Sequence, residues 1–489
     1  MHNKKIVIVG GGTAGWITAN LFAKRWSQHD FEITLIESPN IPIIGVGEGS
    51  TPYIKNLFNT LEIAENEWMD KCNATYKNGI QFNDWSSVKG FKSYFHPFLS
   101  ELDDQNIPLF EYNTLLRRQG YNTPCHPDDY FLMSTLNKLS KEPIPAQNFP
   151  FNSAYSYHFD SHLLGDFLRE NALKMGVTHI RANISKVNLN QASDICSIDT
   201  DDNRSFISDL FVDCTGFKGM LIQQSLNVPF ISFNDNLFND SAIAIPSKLT
   251  PNIKPSTIST AMSAGWSWKI PLKNRVGNGY VYSSKYQTVE SAEQELKDKI
   301  GHHNITGETR YLKMRVGRVK YPWYKNCLAI GLSQGFIEPL EATALHIVQK
   351  MVEEFIDFYE AGNFTLKHQE TFNNKTNFDY ERLRDYIVMH YVTNSRNDTQ
   401  YWHDARTKVV VSDYLKSALQ TWFTGKDLRK KLDQQNVSHF YSSPSWHAML
   451  AGVGCFPSVN TKLIPPNNTD NIEAIKKFLY RCSLNYPTI

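Results

Sequence analysis

Three glycines near the start of the chain, Gly10, Gly12 and Gly15, have the spacing G-x-G-x-x-G. They follow four consecutive β-branched residues at 6–9, typical of a buried strand, and precede an apolar pattern with helical spacing over 16–26. Glycines between a strand and a helix let backbone amides at the helix N-terminus approach a pyrophosphate closely. The motif therefore predicts a dinucleotide site.

An acidic residue completes this signature. The apolar run 31–36 predicts a second strand, and Glu37 stands at its end, where an acid binds the ribose hydroxyls of adenosine. A purely structural turn is the alternative interpretation of the glycines alone. Strand, glycines, helix, second strand and acid in register favour the nucleotide site.

Two further segments have residue types suited to binding an anion or a flat ligand. Segment 45–52 has three alternate glycines that allow close backbone approach, although a flexible connection is the alternative interpretation. Segment 339–344 precedes a long apolar helical pattern, and the free amides of a helix start bind anions. Glu341 would lie beside those amides. Alternatively, Glu341 only complements the helix dipole as a first-turn acid.

Two tryptophans, Trp266 and Trp268, alternate within the strand-like run 265–271. On a strand, side chains with period two project from one face, so the pair predicts an aromatic wall. Packing in an ordinary core is the alternative.

The composition limits the function classes. A chain of 489 residues exceeds the usual size of one domain, so two modules or one elaborated domain are expected. The net charge of +1 and the lack of a long basic block argue against nucleic acid and favour a small-molecule ligand. The seven scattered cysteines lack C-x-x-C pairs, which argues against disulfides and zinc and favours the reducing cytoplasm. No run approaches the roughly 20 apolar residues that span a membrane.

The pattern of elements predicts an α/β fold. Strands predicted at 208–213 and 327–332 complete the nucleotide-binding sheet, and strand-like runs between about 230 and 325 predict a second, antiparallel sheet. The apolar face that begins near 341 predicts a helix ending at Gly362.

These elements group into two predicted modules. A discontinuous nucleotide-binding module covers 1–350, with a loop-rich insertion at about 86–150 and the β insertion at about 230–325. A mostly helical module covers 351–489.

Together, these segments resemble the flavin-dependent halogenases of the tryptophan halogenase family. The glycine motif with Trp16 resembles the opening motif of the family, and 266–271, W-S-W-K-I-P, resembles its more specific W-x-W-x-I-P signature. The resemblance covers about 1–457, and it takes in segments 45–52, 76–77, 157–160, 213–219, 315–318, 336–343 and 390–402. It implies an FAD-binding Rossmann-like core of the GR2-type monooxygenase class, with the C-terminal module forming the substrate pocket.

The resemblance also implies a chemistry. Reduced FAD from a separate flavin reductase reacts with O2 to give a hydroperoxide, which oxidises halide to hypohalous acid. Lys77 matches the essential lysine that holds the oxidant by a hydrogen bond or as a haloamine, and Glu341 matches the glutamate that orients the electrophile or assists proton loss. Trp266 and Trp268 would keep the organic substrate away from the flavin. No metal is implied, and a homo-oligomer is compatible with the sequence.

The motifs and the resemblance together imply three further groups of site residues. The FAD contacts are Gly10, Gly12, Thr13, Ala14, Gly15, Glu37, Gly47, Glu48, Ser50, Thr51 and Leu332. The halide contacts are Thr343 and Ala344, and the substrate pocket has His96, Pro97, Phe98 and Trp446.

Two departures from the family pattern change the expectation. Chlorinating members have Ser-Thr-Gly after the glutamate, whereas this chain has 342–344, Ala-Thr-Ala, so we expect a preference for bromide or iodide. The segment that clamps the amino-acid backbone of tryptophan is short here, with 441–446 leading quickly to 451–454. We therefore expect a small aromatic substrate of indole or phenol type, free or carrier-bound, in place of free tryptophan.

Three alternatives remain open at this stage. An FAD-dependent aromatic hydroxylase shares the fold, but such enzymes usually have a Gly-Asp pair where this chain has Gly331 and Leu332. A non-catalytic flavin-binding protein is disfavoured by the presence of Lys77, Glu341 and both tryptophans. The first 40 residues alone are also compatible with a nicotinamide-dependent dehydrogenase, which nothing later in the chain supports.

Overall fold

The structure, a computed structural model, describes residues 4–26, 31–41, 48–249, 251, 253–436, 440–458, 463 and 472–489. The chain forms two compact units, each assembled from separate segments. The first comprises residues 1–74, 159–234 and 314–381, and the second comprises residues 75–158, 235–313 and 382–489.

The described strands are β1 Lys4–Val9, β2 Phe31–Glu37, β3 Glu48–Gly49, β4 Thr75–Lys77, β5 Gly79–Asn83, β6 Ser93–Pro97, β7 Ser156–Phe159, β8 Thr178–Arg181, β9 Ile184–Leu189, β10 Ile195–Thr200, β11 Ser205–Phe206, β12 Leu210–Asp213, β13 Phe230–Ser232, β14 Ser241–Ser247, β15 Thr257–Met262, β16 Gly265–Pro271, β17 Val276–Tyr282, β18 Arg310–Lys313, β19 Gly317–Val319, β20 Trp323–Tyr324, β21 Cys327–Ala329 and β22 Gly335–Phe336. The described α-helices are α1 Thr13–Trp26, α2 Ile54–Thr60, α3 Glu65–Lys71, α4 Ile107–Arg118, α5 Leu132–Lys138, α6 Ser161–Lys174, α7 Val289–Ile300, α8 Ala344–Ala361, α9 Gln369–Val392, α10 Gln400–Thr407, α11 Asp413–Phe423, α12 Leu428–Gln434, α13 Ser443–Gly452 and α14 Ile472–Ser483. Short 3₁₀ turns and one π-helical turn, Met220–Ser225, connect some of them.

A six-stranded sheet forms the centre of the first unit, in the order β20-β21-β12-β1-β2-β8. Its pairs are parallel from β21 to β8, and only β20 is antiparallel to its neighbour. The apolar residues of β1 are buried without alternation, as expected for a central parallel strand covered on both faces. The predicted nucleotide-binding strands therefore lie side by side in one sheet.

Helix α1 fills one side of this unit and packs against α6 and α8. Asn20 in the middle of α1 is fully buried, and its side-chain amide donates to the carbonyls of Trp16 and Leu168 at 2.7 and 2.8 Å. These bonds satisfy a buried amide that would otherwise destabilise the fold. They also fix α1, and with it the glycine turn, against α6.

A seven-stranded sheet forms the main layer of the second unit, in the order β18-β14-β17-β16-β15-β5-β6. All its pairs are antiparallel except β15 with β5. The prediction of a second antiparallel sheet is confirmed. Its last two strands on one side, β5 and β6, come from a segment well before the predicted β insertion.

The segment 86–150 differs from the expected loop-rich layer, because it contains α4 and α5 as well as loops. Both helices bury apolar residues in a core shared with α13 and α14. Pro, Asn and Asp around these short helices interrupt the apolar pattern and hide it from periodicity.

The C-terminal segment consists mainly of helices in the part of it that the structure describes. Among the residues described, no helix combines the length and the apolarity needed to cross a membrane.

Candidate functional site

The glycine turn after β1 has room only for glycine at two of its positions. Gly10 has a φ of +116°, and a Cβ there would lie 2.2 Å from the Cys214 carbonyl oxygen. A Cβ on Gly15 would lie 1.9 Å from the Gly10 carbonyl oxygen. Above Gly12, by contrast, no described atom lies within 4 Å of a built Cβ. The turn is therefore closely packed at Gly10 and Gly15 and open at Gly12, as a phosphate-binding turn requires.

The predicted ribose-binding acid lies next to this turn. A Cβ on Gly11 would lie 2.3 Å from a carboxylate oxygen of Glu37, and the other neighbour of that oxygen is His179 Nε2 at 3.1 Å. The turn Gly331–Ser333, which contains Leu332, reaches the start of α1, because a Cβ on Gly331 would lie 2.9 Å from the Ala14 methyl carbon. The first unit thus brings these predicted contacts together, and they fit the phosphates and ribose of FAD.

The predicted cofactor segment continues through Glu48, Ser50 and Thr51, whereas Gly47 lies outside the described residues. Thr51 Oγ1 is 3.3 Å from Nδ1 of His346 in the first turn of α8. Tyr53 stacks on the same imidazole with ring centroids 4.2 Å apart. Neither Tyr53 nor His346 was predicted, because a contact between distant segments leaves no local pattern. Together they tie the cofactor segment to the start of α8.

Glu48 has an unusual protonation equilibrium. Burial is the main cause that raises its pKa to about 7; a hydrogen bond with Ser161 opposes this shift, and the nearby Asp160 carboxylate adds to it. The carboxyl group is therefore partly protonated at neutral pH. This places a proton donor and acceptor within the predicted cofactor segment.

Helix α8 begins at Ala344, three residues later than Glu341. The alternative interpretation of Glu341 as a first-turn acid is wrong, because Ala342 has a φ of +56° and its amide closes a turn onto the Pro339 carbonyl at 3.0 Å. This left-handed residue stops the helix from extending backwards. Glu341 is nearly buried, at 5% exposure, in the loop that leads into α8.

The backbone at the predicted halide contacts is also different from the expectation. Thr343 is the N-cap residue, and its carbonyl accepts the first helical bond, from the Ile347 amide at 3.0 Å. Ala344 is therefore in ordinary helical conformation, which alanine adopts readily. The unusual backbone angle falls on Ala342 instead.

In the second unit, Lys77 is completely buried at the end of β4. Its ammonium nitrogen lies over the Phe98 ring, 5.5 Å from the centroid, a favourable cation–π arrangement. Next to it, the Asn78 amide donates to the Pro255 carbonyl at 2.7 Å, and the Asn78 carbonyl accepts from the Phe98 amide at 3.0 Å. The structure thus brings the predicted catalytic lysine together with one predicted pocket residue.

Trp266 and Trp268 lie on one face of β16, as predicted, with ring centroids 6.1 Å apart. The ring of Trp268 lies over Gly279 on β17, where an added Cβ would come within 2.0 Å of it. A glycine inside a strand often marks such a close approach. Gly279 is therefore a positioning residue that the sequence reasoning missed.

Two other predicted pocket residues, His96 and Trp446, contact the same aromatic side chain. Their rings lie 6.3 and 5.3 Å from that of Tyr386 on α9. Tyr441 stacks face to face on Tyr386, with centroids 3.5 Å apart. Pro97 is buried at the end of β6. Neither tyrosine was predicted, although helical spacing from His390 could have identified Tyr386.

The sequence and the fold match known proteins over nearly their whole length. The model of the tryptophan halogenase family matches residues 5–466. Tryptophan 6-halogenase SttH of Streptomyces toxytricini is 35% identical over 479 residues, 92% of this chain and 89% of that protein. Its crystal structure has a TM-score of 0.86 at 32% identity, covering 100% of this chain and 98% of that chain.

Two more relatives agree with this match. Tryptophan 7-halogenase RebH of Lentzea aerocolonigenes is 31% identical over 507 residues, 96% of this chain and 94% of that protein. BrvH, a flavin-dependent halogenase from Brevundimonas sp. BAL3, has a TM-score of 0.85 at 31% identity, covering 100% of this chain and 98% of that chain. The chain therefore belongs to the tryptophan halogenase family, as a flavin-dependent enzyme that halogenates an aromatic substrate with FADH2 from a separate flavin reductase, O2 and a halide.

Proposed function

We propose that this halogenase acts on an electron-rich aromatic of indole or phenol type other than free tryptophan, with Lys77 and Glu341 as its catalytic residues. The observation that carries the proposal is the complete burial of Lys77 with its ammonium over Phe98. Lysine is among the side chains least often fully buried in proteins, so a completely buried lysine beside an aromatic ring favours a functional role. The first unit would bind FAD, and the second would hold Lys77 and the aromatic pocket.

In this proposal each residue has one task. The reduced flavin, when bound, supplies with O2 the oxidising equivalents that convert halide to hypohalous acid. Trp266 and Trp268 exclude the organic substrate from the flavin. Lys77 holds the oxidant, either by donating a hydrogen bond to its oxygen or as a haloamine formed with release of water. Glu341 accepts the proton that leaves the halogenated ring carbon and so restores aromaticity.

The stack of Tyr441 on Tyr386 supports a substrate other than free tryptophan. Two rings that cover each other at 3.5 Å do not offer those faces to a ligand. Tyr441 lies in the shortened C-terminal segment, so its stacked ring face is not available there to contact a free amino acid. A compact indole or phenol needs no such clamp.

A preference for bromide or iodide over chloride remains part of the proposal. Its support is the methyl group of Ala344, which lies at the first helical position of α8, where the resemblance implies glycine in chlorinating members. The methyl group makes the helix start more apolar, and larger halides lose less solvation energy there than chloride does. Competition between equal concentrations of chloride and bromide tests this, and equal incorporation of both would contradict it.

The decisive experiment for the catalytic roles uses Lys77→Met, which retains the volume of the side chain but removes its charge. The enzyme is incubated with FAD, a flavin reductase, O2 and each halide against a panel of indoles, phenols and tryptophan, and mass spectrometry detects the products. We expect halogenated indole or phenol from the wild type and at least a hundredfold less from Lys77→Met.

A matched control is Lys92→Met, since Lys92 is exposed and should tolerate the change without loss of product. Hydroxylated product, or rapid tryptophan halogenation with none of the other aromatics modified, would overturn the proposed function.

A further inference from the structure

The β4 strand that ends in Lys77 pairs with β7, and the pairing places a histidine beside the lysine. Lys77 lies opposite Ser156, and Thr75 lies opposite His158. Residues two apart on a strand project from the same face, so Thr75, Lys77 and His158 share one face of this ribbon. His158 is fully buried there, diagonal to the lysine.

Both ring nitrogens of His158 contact threonine hydroxyls. Nδ1 is 3.3 Å from Thr75 Oγ1, and Nε2 is 2.9 Å from Thr257 Oγ1. The Thr75 hydroxyl also donates to the Pro271 carbonyl at 2.7 Å. Pro271 is the last residue of β16, the strand that carries Trp266 and Trp268. The histidine thus connects β4 to β15 and to the strand of the aromatic wall.

The proton count fixes the tautomer of this imidazole. A threonine hydroxyl has a single proton, and Thr75 uses it on the Pro271 carbonyl. Thr75 can therefore only accept from His158, so Nδ1 must have the proton. Nε2 of a neutral ring is then an acceptor, and the Thr257 hydroxyl donates to it. Burial and the Lys77 ammonium both lower the pKa of His158 far below its usual value, which agrees with a neutral ring.

We propose that His158 is the positioning residue of the catalytic lysine: a neutral imidazole, protonated at Nδ1 and held between Thr75 and Thr257, that fixes Lys77 relative to the strand of the two tryptophans. The inference rests on the proposed role of Lys77. An imidazolium at this position would repel the lysine ammonium. The tautomer protonated at Nε2 would break the bond to Thr75. Of the imidazolium and the two neutral tautomers, only the tautomer protonated at Nδ1 therefore maintains the site.

The first test reads the tautomer directly and needs neither cofactor nor activity. Protein labelled with ¹⁵N-histidine is examined by NMR at neutral pH, and the His158 signals are identified by their loss in His158→Asn. We expect a protonated Nδ1 and an unprotonated Nε2. A protonated Nε2 would overturn the inference.

The second test separates positioning from a purely structural effect. His158→Asn retains an N–H at the place of Nδ1, whereas His158→Leu retains neither polar contact. We expect kcat for the aromatic to fall roughly tenfold or more in His158→Leu, with partial rescue in His158→Asn, an unchanged KM and unchanged formation of hypohalous acid measured by a scavenger dye.

A double-mutant cycle completes the test. In the Lys77→Met background, His158→Leu should reduce product no further, because its effect acts through the lysine. An equal loss in both backgrounds would overturn the inference. If Lys77→Met itself retained full activity, the proposed function would be wrong, and this outcome is distinct from failure of the histidine variants alone.

Thr257→Val is the variant to use if the histidine substitutions unfold the protein, because it removes only the donor to Nε2. We expect it to lower kcat in the same way, with Thr260→Val, a buried threonine on the same strand, as the control. Equal kcat values for the two variants would overturn the inference.

Discussion

At the scale of single residues, the backbone between Glu341 and α8 distinguishes two alanines that look equivalent in the sequence. Ala342 has a left-handed conformation that costs an L-residue about 1 kcal/mol or more, whereas Ala344 is helical. The family resemblance directs attention to position 344. The structure adds that the conformational cost is at position 342.

This difference gives a prediction for a matched pair of variants. Ala342→Gly should leave stability unchanged or raise it by about 0.5 kcal/mol, because the relief of the left-handed conformation exceeds the entropy that glycine loses on folding. Ala344→Gly should lower stability by about 0.5 kcal/mol, since glycine is a poor helix residue. Thermal unfolding of both proteins measures the difference, and equal midpoints would contradict it.

Glu48 gives a prediction of its own. Its pKa is raised in the folded state, so the folded protein binds this proton more tightly, and the contribution to stability falls as pH rises from about 4.5 to 7. Glu48→Gln should therefore stabilise the protein at pH 8, by at most about 3 kcal/mol, and much less at pH 5. Melting temperatures at both pH values test this, and the same shift at each would contradict it.

At the scale of elements, the sequence predicts well where neighbouring residues carry the signal. The glycine turn, the strands on either side of it and the period-two tryptophans of β16 are all local patterns, and the structure has each of them. The start of α8 was misplaced because a single left-handed residue ends the pattern without a glycine to mark it. The contacts of His158, His346 and Tyr441 could not be predicted, because their partners are distant in sequence and come together only through the sheet and helix packing.

The contact between β16 and β17 gives a prediction for the aromatic wall. Gly279→Ala should displace the ring of Trp268, since the new methyl group would occupy its place. We expect a change in tryptophan fluorescence and a loss of stability of about 1 to 3 kcal/mol from overpacking. If Trp268 screens the flavin, uncoupled oxygen consumption should rise as well.

Val281→Ala is the control for this prediction. Val281 lies on β17, as Gly279 does, and is paired with Trp266 of β16. Replacing valine by alanine leaves a small space, whereas Gly279→Ala fills one. It should cost stability as a small cavity does, about 1 kcal/mol or more, without displacing Trp268. The same fluorescence change in both variants would contradict the assignment of Gly279.

At the scale of the whole molecule, two buried neutral histidines contribute to the response of the protein to acid. Burial lowers the pKa of His158 and of His447 well below 6.5. Below pH 6.5, both histidines take up a proton in the unfolded chain but stay neutral in the folded protein. Each histidine therefore lowers the free energy of unfolding by up to about 1.4 kcal/mol per pH unit. Both belong to the second unit.

We therefore expect acid to open the second unit before the first. Hydrogen exchange at pH 7.5 and 5.5 should show a larger loss of protection in β7 and α13 than in β1 and α1. His447→Gln should reduce the loss, because a neutral amide does not titrate. Equal loss of protection in both units would contradict the prediction.

The parallel pairing of β5 with β15 has a consequence for how this enzyme is made. The residues next to Lys77 are held by carbonyls from much later in the chain: the Asn78 amide donates to Pro255 and the Thr75 hydroxyl donates to Pro271. Both prolines leave the ribosome long after Lys77 does. Pairing between strands that are so far apart in sequence is slow. Until β15 has been synthesised and has paired, the open side of β5 is prone to aggregation. The yield of active enzyme should consequently depend on the speed of synthesis and on chaperones, so that slow expression in the cold gives more halogenase activity per milligram of purified protein.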